Sequence, residues 1–105
     1  MMSKGYMIGL IKFTNKQQFI ENFASKIGAL IQSSGGRFLS RTPESHFSEG
    51  REFDLHVIVE FEELGRAKAL LKSEKWTDMQ QHRRANSDPE YGSFMLIEGG
   101  DTIAK

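Results

Sequence analysis

A strand pattern near the middle of the chain, residues 53–61, carries apolar side chains on both of its faces. Successive residues of a strand point to opposite sides of a sheet. That rule places a wholly apolar set on one side: Phe53, Leu55, Val57, Val59 and Phe61. The other side combines an apolar residue with polar ones: Asp54, His56, Ile58 and Glu60. The segment therefore predicts a strand that is buried on both sides and that brings polar groups to a pocket or a partner surface.

Helix and strand patterns alternate along the rest of the chain. Alternating or apolar runs predict further strands at residues 6–13, 37–41 and 93–98. Asn15, followed three residues later by Gln18, predicts the start of an amphipathic helix that ends at Gly35 and Gly36. A second helical region begins after Phe61 and includes a further helix that Ser73 caps.

The predicted element order is therefore βαββαβ. This order is typical of an α+β, ferredoxin-like fold, in which the helices cover one side of an antiparallel sheet. The strand patterns at 6–13, 53–61 and 93–98 are nevertheless apolar on both faces. An uncovered apolar sheet face exceeds the patch size of ordinary monomers, so we expect a second subunit to cover it and form a dimeric α/β barrel. The rival explanation is that the long second loop or the C-terminal tail covers these residues.

Composition limits the classes of protein that need to be considered. With 105 residues, the chain is long enough for one domain, residues 1–105, with an ordered core at about 4–99. Fourteen basic and fourteen acidic residues give no net charge, so nothing favours a nucleic acid or a membrane as partner. The absence of cysteine excludes disulfides and a cysteine nucleophile. We expect a soluble protein of the cytoplasm.

Two polar residues of the 53–61 strand are candidates for proton transfer. His56 and Glu60 are four residues apart, so they share a face but lie roughly 13 Å apart along the strand. In a face-to-face dimer, each can meet a group from the other subunit. The alternative is that both are hydrogen-bonded structural groups that fix the register of the dimer.

Two arginines are candidates for binding an anionic ligand, because a guanidinium group matches the planar geometry of a carboxylate. Arg41 lies at a strand end and Arg83 on the last helix, so both can face a cleft between the sheet and the helices. The alternative is that each pairs with an internal acid such as Glu49 or Glu60. Trp76 can line an apolar pocket in the same cleft or can simply belong to the core.

Metal and cofactor sites are not predicted. The segments around His46 and around His56 each offer two candidate ligands, and neither has a defined third ligand. Gly35 and Gly36 end a helix and are not followed by the lysine of a phosphate-binding loop. The third strand also lacks the aromatic and basic residues with which ferredoxin-like domains bind RNA.

Several short motifs together resemble one protein family. They are Gly35 to Arg41, Glu49-Gly50, Ile58 to Phe61, Ser73 to Trp76, Arg83, and Ile97 to Gly99. In order and spacing they are similar to the family called domain of unknown function thirteen-thirty. The resemblance implies a dimeric α/β barrel, related to antibiotic-biosynthesis-type monooxygenases and small isomerases, and it implies no particular reaction.

The resemblance also assigns family positions to residues of this chain. It implies that Arg41, Glu49, Glu60, Trp76 and Arg83 occupy functional positions, with tryptophan where tyrosine is more usual, and it adds Glu49 to the ligand-binding candidates. Two features differ from the family pattern. Thr42-Pro43 replaces a glycine after the strand arginine, which changes the loop. Glu62-Glu63 replaces the usual proline-serine helix start, which weakens the cap.

The sequence therefore predicts a homodimer that binds a small polar or anionic metabolite. Two functions remain open at this stage. One is a cofactor-independent enzyme that uses acid–base or monooxygenase-like chemistry. The other is a non-catalytic ligand-binding or stress-associated dimer. They differ in whether His56 or Glu60 lies within reach of the reacting atom of a bound ligand.

Overall fold

The structure is a computed structural model that describes residues 3–103. Its strands are β1 (Gly5–Ile11), β2 (Gly36–Thr42), β3 (Leu55–Phe61) and β4 (Ser93–Glu98). Its helices are α1 (Lys16–Phe19), α2 (Ser25–Ser33), α3 (Leu64–Leu71) and α4 (Glu74–Ala85), and a π-helical segment (Ile20–Ala24) joins α1 to α2. Within the described residues, no helix has the length and apolar character needed to cross a membrane.

The four strands form one antiparallel sheet in the order β2-β3-β1-β4. This is the α+β, ferredoxin-like arrangement that the sequence predicts. The register pairs Tyr6 with Glu60 and Gly9 with Val57 in the two central strands. Since side chains alternate along each strand, the register divides the sheet residues between two faces.

One face of the sheet packs against the helices and forms the core. Phe19, Val59 and Phe61 are almost completely buried there. Truncating a fully buried phenylalanine to alanine costs about 3–5 kcal/mol, so this layer supplies much of the stability. The other members of the core come from the same strand face and from all of the helical segments: Met7, Ile11, Phe23, Ile27, Ile31, Ala67, Leu70 and Trp76.

The opposite face of the sheet has no helix over it in the described chain, and we call it the bare face. Its apolar residues are Ile8, Leu10, Ile58, Met95 and Ile97. Ile58, Met95 and Ile97 keep 38%, 40% and 46% of their surface exposed. The prediction of strands with two apolar faces is thus confirmed, and neither the second loop nor the described part of the C-terminal tail buries these side chains.

The first helical region starts and ends where the sequence predicts. The Asn15 side chain accepts a hydrogen bond from the Gln18 amide, and Gly35 stops the helix with a φ of 84°. The prediction of one continuous α-helix is wrong in the middle, because Ile20–Ala24 forms a π-helix. A π-helical turn holds one extra residue and is frequent at functional sites.

Two predicted strands are longer than the observed ones. The 53–61 pattern becomes β3 only from Leu55. Asp54 instead holds the end of β1: its amide donates to the Ile11 carbonyl at 2.8 Å, and its carboxylate accepts a hydrogen bond from the Phe13 amide at 2.9 Å. Phe53 leaves the core face and packs edge-on against Tyr91, with ring centroids 5.7 Å apart. The 6–13 pattern ends at Ile11, and Phe13 instead forms an isolated bridge with Ser87.

Strand β2 contains a bulge. Phe38 pairs with Val59 and Ser40 pairs with the next residue of β3, Ile58, so Leu39 has no partner. The extra residue reverses the alternation that follows it. As a result Arg41 pairs with Val57 on the helix side of the sheet, where regular alternation from Phe38 would place it on the bare face.

Candidate functional site

A small cavity, which we call the inner chamber, lies between the sheet and the helices. Its volume is about 50 Å³. The walls are apolar side chains from all four strands, the π-helical segment, α2 and α4, and two arginines complete the lining. The residues that matter most for its shape are Gly9, Phe23, Phe38, Val57, Trp76 and Phe94.

Gly9 leaves open part of the space in the chamber. A methyl group added at Gly9 would meet Val57 at 3.7 Å and Ile11 and Phe94 at 3.9 Å, which are ordinary van der Waals contacts. Glycine inside a strand costs roughly 0.5–1 kcal/mol relative to alanine. The central strand therefore lacks a side chain that would fit, and the missing atoms leave free volume.

Arg83 is buried in the wall of the chamber, with 9% of its surface exposed. Its guanidinium lies over the Phe94 ring, 5.1 Å from the centroid, and its Nε donates to the Gln80 side-chain oxygen. Burial, and to a lesser degree the positive charge of Arg84, lowers the pKa of Arg83. Within residues 3–103, no carboxylate forms an ion pair with Arg83.

Gln80 adds a second unfilled hydrogen-bonding group beside Arg83. The Gln80 side chain is 3% exposed, and its Nε2 atom has no acceptor in the described part of the chain. Buried polar groups normally have a partner, so an unfilled donor needs an explanation. Gln80 thus satisfies Arg83 Nε through its oxygen, while its own Nε2 is a buried donor without an acceptor in the described residues.

Arg41 reaches the chamber from the opposite edge of the sheet. The bulge in β2 directs it to the helix side, where its guanidinium lies 4.2 Å from the centroid of Phe38. Its Nη1 donates to the Ala24 carbonyl at 3.2 Å, at the end of the π-helical segment. Arg41 is exposed and, like Arg83, has no carboxylate partner among residues 3–103.

Each arginine also lines an open groove outside the chamber. The groove beside Arg83, which we call the Arg83 groove, has a volume of about 540 Å³. It is lined by Arg83 and Arg84, by Ser87, Asp88 and Pro89, and by residues of β1 and β4, including Leu10, Ile11, Phe94 and Met95. A second groove, of about 370 Å³, shares Arg41, Ala24 and Leu55 with the chamber.

Trp76 forms part of the chamber wall near Phe94. The Ser73 side chain accepts a hydrogen bond from the Trp76 amide and so caps α4, as the sequence predicts. The Trp76 ring is tilted against the Phe94 ring at 5.8 Å, and 6% of the residue is exposed. Trp76 is therefore both a core residue and a chamber residue. The sequence leaves these two positions as alternatives.

The two candidates for proton transfer lie on the bare face, away from the chamber. Glu60 is 6% exposed and accepts hydrogen bonds from the Tyr6 hydroxyl at 2.9 Å and from Arg37 at 2.8 and 3.0 Å. Lys4 lies 3.7 Å from the same carboxylate. These contacts, with the Tyr6 hydrogen bond first and Arg37 second, lower the pKa of Glu60 below its usual 4.5. The hydrogen bond to Glu60 and burial raise the pKa of Tyr6 above 10.0.

His56 lies farther along the same face, beside β2. Its Nδ1 lies 3.2 Å from the Thr42 carbonyl oxygen, and its ring contacts Phe53 edge-on at 6.4 Å. Neither His56 nor Glu60 lines the inner chamber or the Arg83 groove. The structure thus brings Arg41, Trp76 and Arg83 to one cavity and leaves the other candidates outside it. The roles of all of these residues in binding or catalysis stay predictions.

Glu49 lies apart from both groups. It is exposed in the loop between β2 and β3, and it does not line the chamber. The predicted alternative, in which Glu49 or Glu60 neutralises Arg41, is also not found: Arg37, and not Arg41, contacts Glu60. Among residues 3–103, no three His, Asp or Glu side chains are grouped closely enough to hold a metal ion.

Sequence reasoning missed Tyr6, Arg37, Gln80 and Phe94. Tyr6 and Arg37 both pair with Glu60 across neighbouring strands. The predicted strand order could have revealed this contact if the register had been known. No sequence signal marks Gln80, because a glutamine in a helix is ordinary on the surface and only the packing shows that it is buried.

Solved structures of similar fold are known, although their sequences differ strongly from this one. A protein of unknown function from Rhodopseudomonas palustris is 12% identical with a TM-score of 0.76, over 96% of this chain and 85% of that one. SnoaB from Streptomyces nogalater, a cofactor-independent oxygenase, is 15% identical with a TM-score of 0.64, over 98% and 99%. A dimeric protein of unknown function and ferredoxin-like fold from Bacteroides fragilis is 12% identical with a TM-score of 0.52, over 91% and 96%.

The family comparison is more direct. The model of the family described as Domain of unknown function (DUF1330) matches residues 4–100, which is nearly the whole chain. No curated protein matches the sequence significantly. The match covers every strand and helix of the fold, as well as both chamber arginines. The chain therefore belongs to the DUF1330 family, as its motifs indicate.

Proposed function

We propose that this protein is a cytoplasmic homodimer that binds a small anionic organic molecule in the Arg83 groove, with Arg83 as the principal contact for the anion. The observation that carries the proposal is a buried guanidinium that lacks a carboxylate partner within residues 3–103. Arg41 and Trp76 belong to the adjoining chamber and support the same site from its inner side.

A buried charge without a partner is costly, and the cost explains why a ligand would be bound here. Taking an ion out of water without compensation costs several kcal/mol. A carboxylate or phenolate beside Arg83 would restore the lost interactions through charge-assisted hydrogen bonds, which are worth about 1.5–3 kcal/mol each.

The volumes favour the groove over the chamber as the place for the body of the ligand. Ligand pockets usually measure about 300–1,000 Å³. The Arg83 groove, at about 540 Å³, falls in this range, whereas the inner chamber, at about 50 Å³, is too small for an aromatic ring. The groove also combines apolar contacts from Leu10 and Met95 with the positive charge of Arg84, and the Asp88 carboxylate completes its polar lining.

The bare face supports the proposal of a dimer. Its exposed apolar side chains form one surface across the sheet, and a second copy that covers them would bury that surface by the simplest symmetric assembly. The structural neighbour from Bacteroides fragilis, described as dimeric, supports the same assembly. Leu10 and Met95 belong both to this face and to the Arg83 groove, so a partner subunit on the face would complete one wall of the groove.

Cofactor-independent oxygenation is the second part of the proposal. The fold shared with SnoaB supports it, together with an apolar chamber beside an unpaired cation. The reaction we infer oxidises an acidic CH₂ group to a carbonyl: R₂CH₂ and O₂ give R₂C=O and H₂O. The substrate supplies all four electrons, its proton leaves to water in the groove, and Arg83 stabilises the negative charge that remains on the substrate.

The predicted roles of His56 and Glu60 fit a different location. Both face the proposed seam between subunits, where the Tyr6 and Arg37 contacts occupy Glu60. Proton transfer by His56 or Glu60 therefore requires a ligand at the seam. The alternative is a non-catalytic dimer, which would bind the anion in the same groove and would not oxidise it.

Two measurements test the proposal. Native mass spectrometry of the purified protein should report a dimer, and a persistent monomer would contradict the assembly. Calorimetric titration with benzoate and with the neutral analogue benzamide should show benzoate binding at least about tenfold more tightly, which corresponds to one charge-assisted contact. Equal affinity for the two probes would remove Arg83 from the proposed role.

A further inference from the structure

We propose that the inner chamber is a dioxygen site that is separate from the groove in which the organic ligand binds. This inference rests on the proposed oxygenase function, since only that function gives the chamber an apolar co-substrate. The protein would thus hold its two reactants in two connected compartments. Ile11, Arg83 and Phe94 line both compartments and form the boundary between them.

The size of the chamber suits a molecule of two heavy atoms. A cavity needs about 10–15 Å³ of accessible volume to hold one water molecule, and an apolar cavity of about 150 Å³ can hold benzene. The chamber, at about 50 Å³, lies between these limits. A molecule of two heavy atoms fits this space, and an aromatic ring does not.

The lining of the chamber is almost entirely apolar. A buried water molecule needs two to four polar partners, and cavities with apolar walls stay dry. Apart from the arginines at its two edges, the chamber is lined by aliphatic and aromatic side chains and by Gly9. Phe19, Phe23, Phe38, Trp76 and Phe94 supply aromatic surface. Such a space favours an apolar, polarisable molecule over water.

Gly9 borders the chamber. An alanine methyl group would fit there at ordinary contact distances, so sterics alone do not require glycine. The residue has no left-handed backbone that would demand glycine either. Gly9 therefore leaves free volume at the centre of the sheet where an alanine methyl group would fit.

The chamber adjoins the Arg83 groove. Because Ile11, Arg83 and Phe94 border both spaces, a molecule in the chamber lies directly behind the anion contact of the groove. A carbanion that Arg83 stabilises in the groove would then face dioxygen from the chamber side. Keeping dioxygen in a dry compartment holds it close to the substrate without competing with it for the arginine.

Xenon, which binds where small apolar molecules bind, provides the direct test. Crystals pressurised with xenon should show one xenon site between Gly9, Trp76 and Phe94 in the wild-type protein. The Gly9→Val variant should lose that site, and the control variant Gly65→Ala should keep it, since a methyl at Gly65 contacts nothing within 4 Å. A wild-type crystal without xenon in the chamber would overturn the proposal, whatever the variants do.

Fluorescence in solution tests the gas itself. Trp76 is the only tryptophan of the chain, so its quenching by dissolved oxygen reports access to the chamber. We expect the quenching constant to fall at least about twofold in Gly9→Ala or Gly9→Val and to stay unchanged in Gly65→Ala. An identical constant in wild type and in well-folded Gly9 variants would contradict a dioxygen site.

A third measurement separates this inference from the proposed function. Xenon binding repeated in saturating benzoate should leave the xenon in place if the compartments are distinct. Expulsion of xenon by benzoate would assign the chamber to the organic ligand and overturn the inference, while the proposed anion binding would stand. Conversely, equal affinity for benzoate and benzamide would remove the proposed anion site but would leave the xenon result to decide the chamber.

Discussion

The two faces of the sheet carry similar apolar residues, but they differ in whether their charged side chains have partners of opposite charge. On the bare face, Glu60 is saturated by Tyr6, Arg37 and Lys4. On the helix face, Arg41 and Arg83 contact only aromatic rings, a carbonyl oxygen and an amide oxygen. In the described part of the chain, the bare face pairs Glu60 with Arg37 and Lys4, whereas the two arginines of the helix face have no anionic partner.

This difference indicates different roles. A network whose donors and acceptors match one another has nothing left to bind, so the Glu60 cluster is suited to fixing strand register or a subunit contact. A buried cation with unsatisfied hydrogen-bonding capacity is suited to an external anion. The bare face is therefore expected to be structural and the helix face to bind the ligand.

The largest effect is expected for Ile58→Glu on the bare face. A carboxylate placed at the centre of an apolar interface would be buried without a partner, which costs several kcal/mol. We expect the dissociation constant of the dimer to rise about 100-fold or more, since each 1.4 kcal/mol is a factor of ten. Sedimentation equilibrium or native mass spectrometry measures the change.

The matched control is Phe47→Glu, which introduces the same charge at an apolar residue that is 80% exposed in the loop between β2 and β3. This variant should remain as dimeric as the wild type. If both variants dissociate equally, the effect comes from net charge and the bare face is not the interface.

Arg83→Gln should have the next largest effect, on ligand affinity. Loss of a charge-assisted contact should weaken benzoate binding about 10- to 100-fold. The free energy of unfolding should stay the same or rise, since a buried charge is removed. Calorimetric titration and chemical denaturation measure the two quantities, and Arg66→Gln, an exposed arginine of α3, provides a control with the same change in charge. A large loss of stability with unchanged affinity would assign Arg83 a structural role.

Gly9→Ala should change stability on the helix face by a smaller amount. Alanine restricts the unfolded chain more than glycine does, and its methyl group fits the chamber. We therefore expect the free energy of unfolding to rise by about 0.4–1 kcal/mol. In a domain of this size that raises the thermal midpoint by a few degrees. A lower midpoint in calorimetry would mean that the chamber has no room for the methyl group.

Glu60→Gln should have the smallest effect, a loss of stability at neutral pH that disappears on acidification. Because contacts lower the folded-state pKa of Glu60, their stabilisation is complete above the usual value of 4.5 and is lost as pH falls through the folded-state pKa. The variant should therefore lose less stability than the wild type on acidification. Denaturation at several pH values measures this, with Glu62→Gln as the exposed neighbouring control. Parallel pH profiles for wild type and Glu60→Gln would contradict the role of the cluster.

The raised pKa of Tyr6 extends the same test to alkaline pH. The Glu60 contact should be fully present below pH 10 and should be lost as pH rises through the higher folded-state pKa of Tyr6. Absorbance at alkaline pH should therefore show one of the two tyrosines titrating later than a free tyrosine. In Glu60→Gln, this delay should be reduced.

Much of the fold could be predicted from the sequence, because periodicity decides the type of an element. The βαββαβ order, the Asn15 and Ser73 caps and the stop at Gly35 all depend on local chemistry and are found in the structure. The ends of the strands were harder. Phe53 continues the apolar alternation in the sequence, but in the structure it lies before β3 and packs against Tyr91.

The candidate site could be predicted only in part. The sequence identified Arg41, Trp76 and Arg83, since large or charged residues on amphipathic elements are conspicuous. It could not assign Glu60 to Arg37, because that contact depends on strand register. It also could not show that Arg83 is buried without an acid, because pairing is a property of the packed structure.

The bulge at Leu39 has a consequence for aligning relatives of this protein. Arg37 and Arg41 are four residues apart in the chain, but they face Glu60 and Val57, which are only three apart. In a homologue whose second strand has no extra residue, the functional counterpart of Arg41 stands three positions after the counterpart of Arg37. An ungapped alignment would compare Arg41 with a side chain on the opposite side of the sheet. It would therefore miss an arginine that both proteins place in the chamber wall.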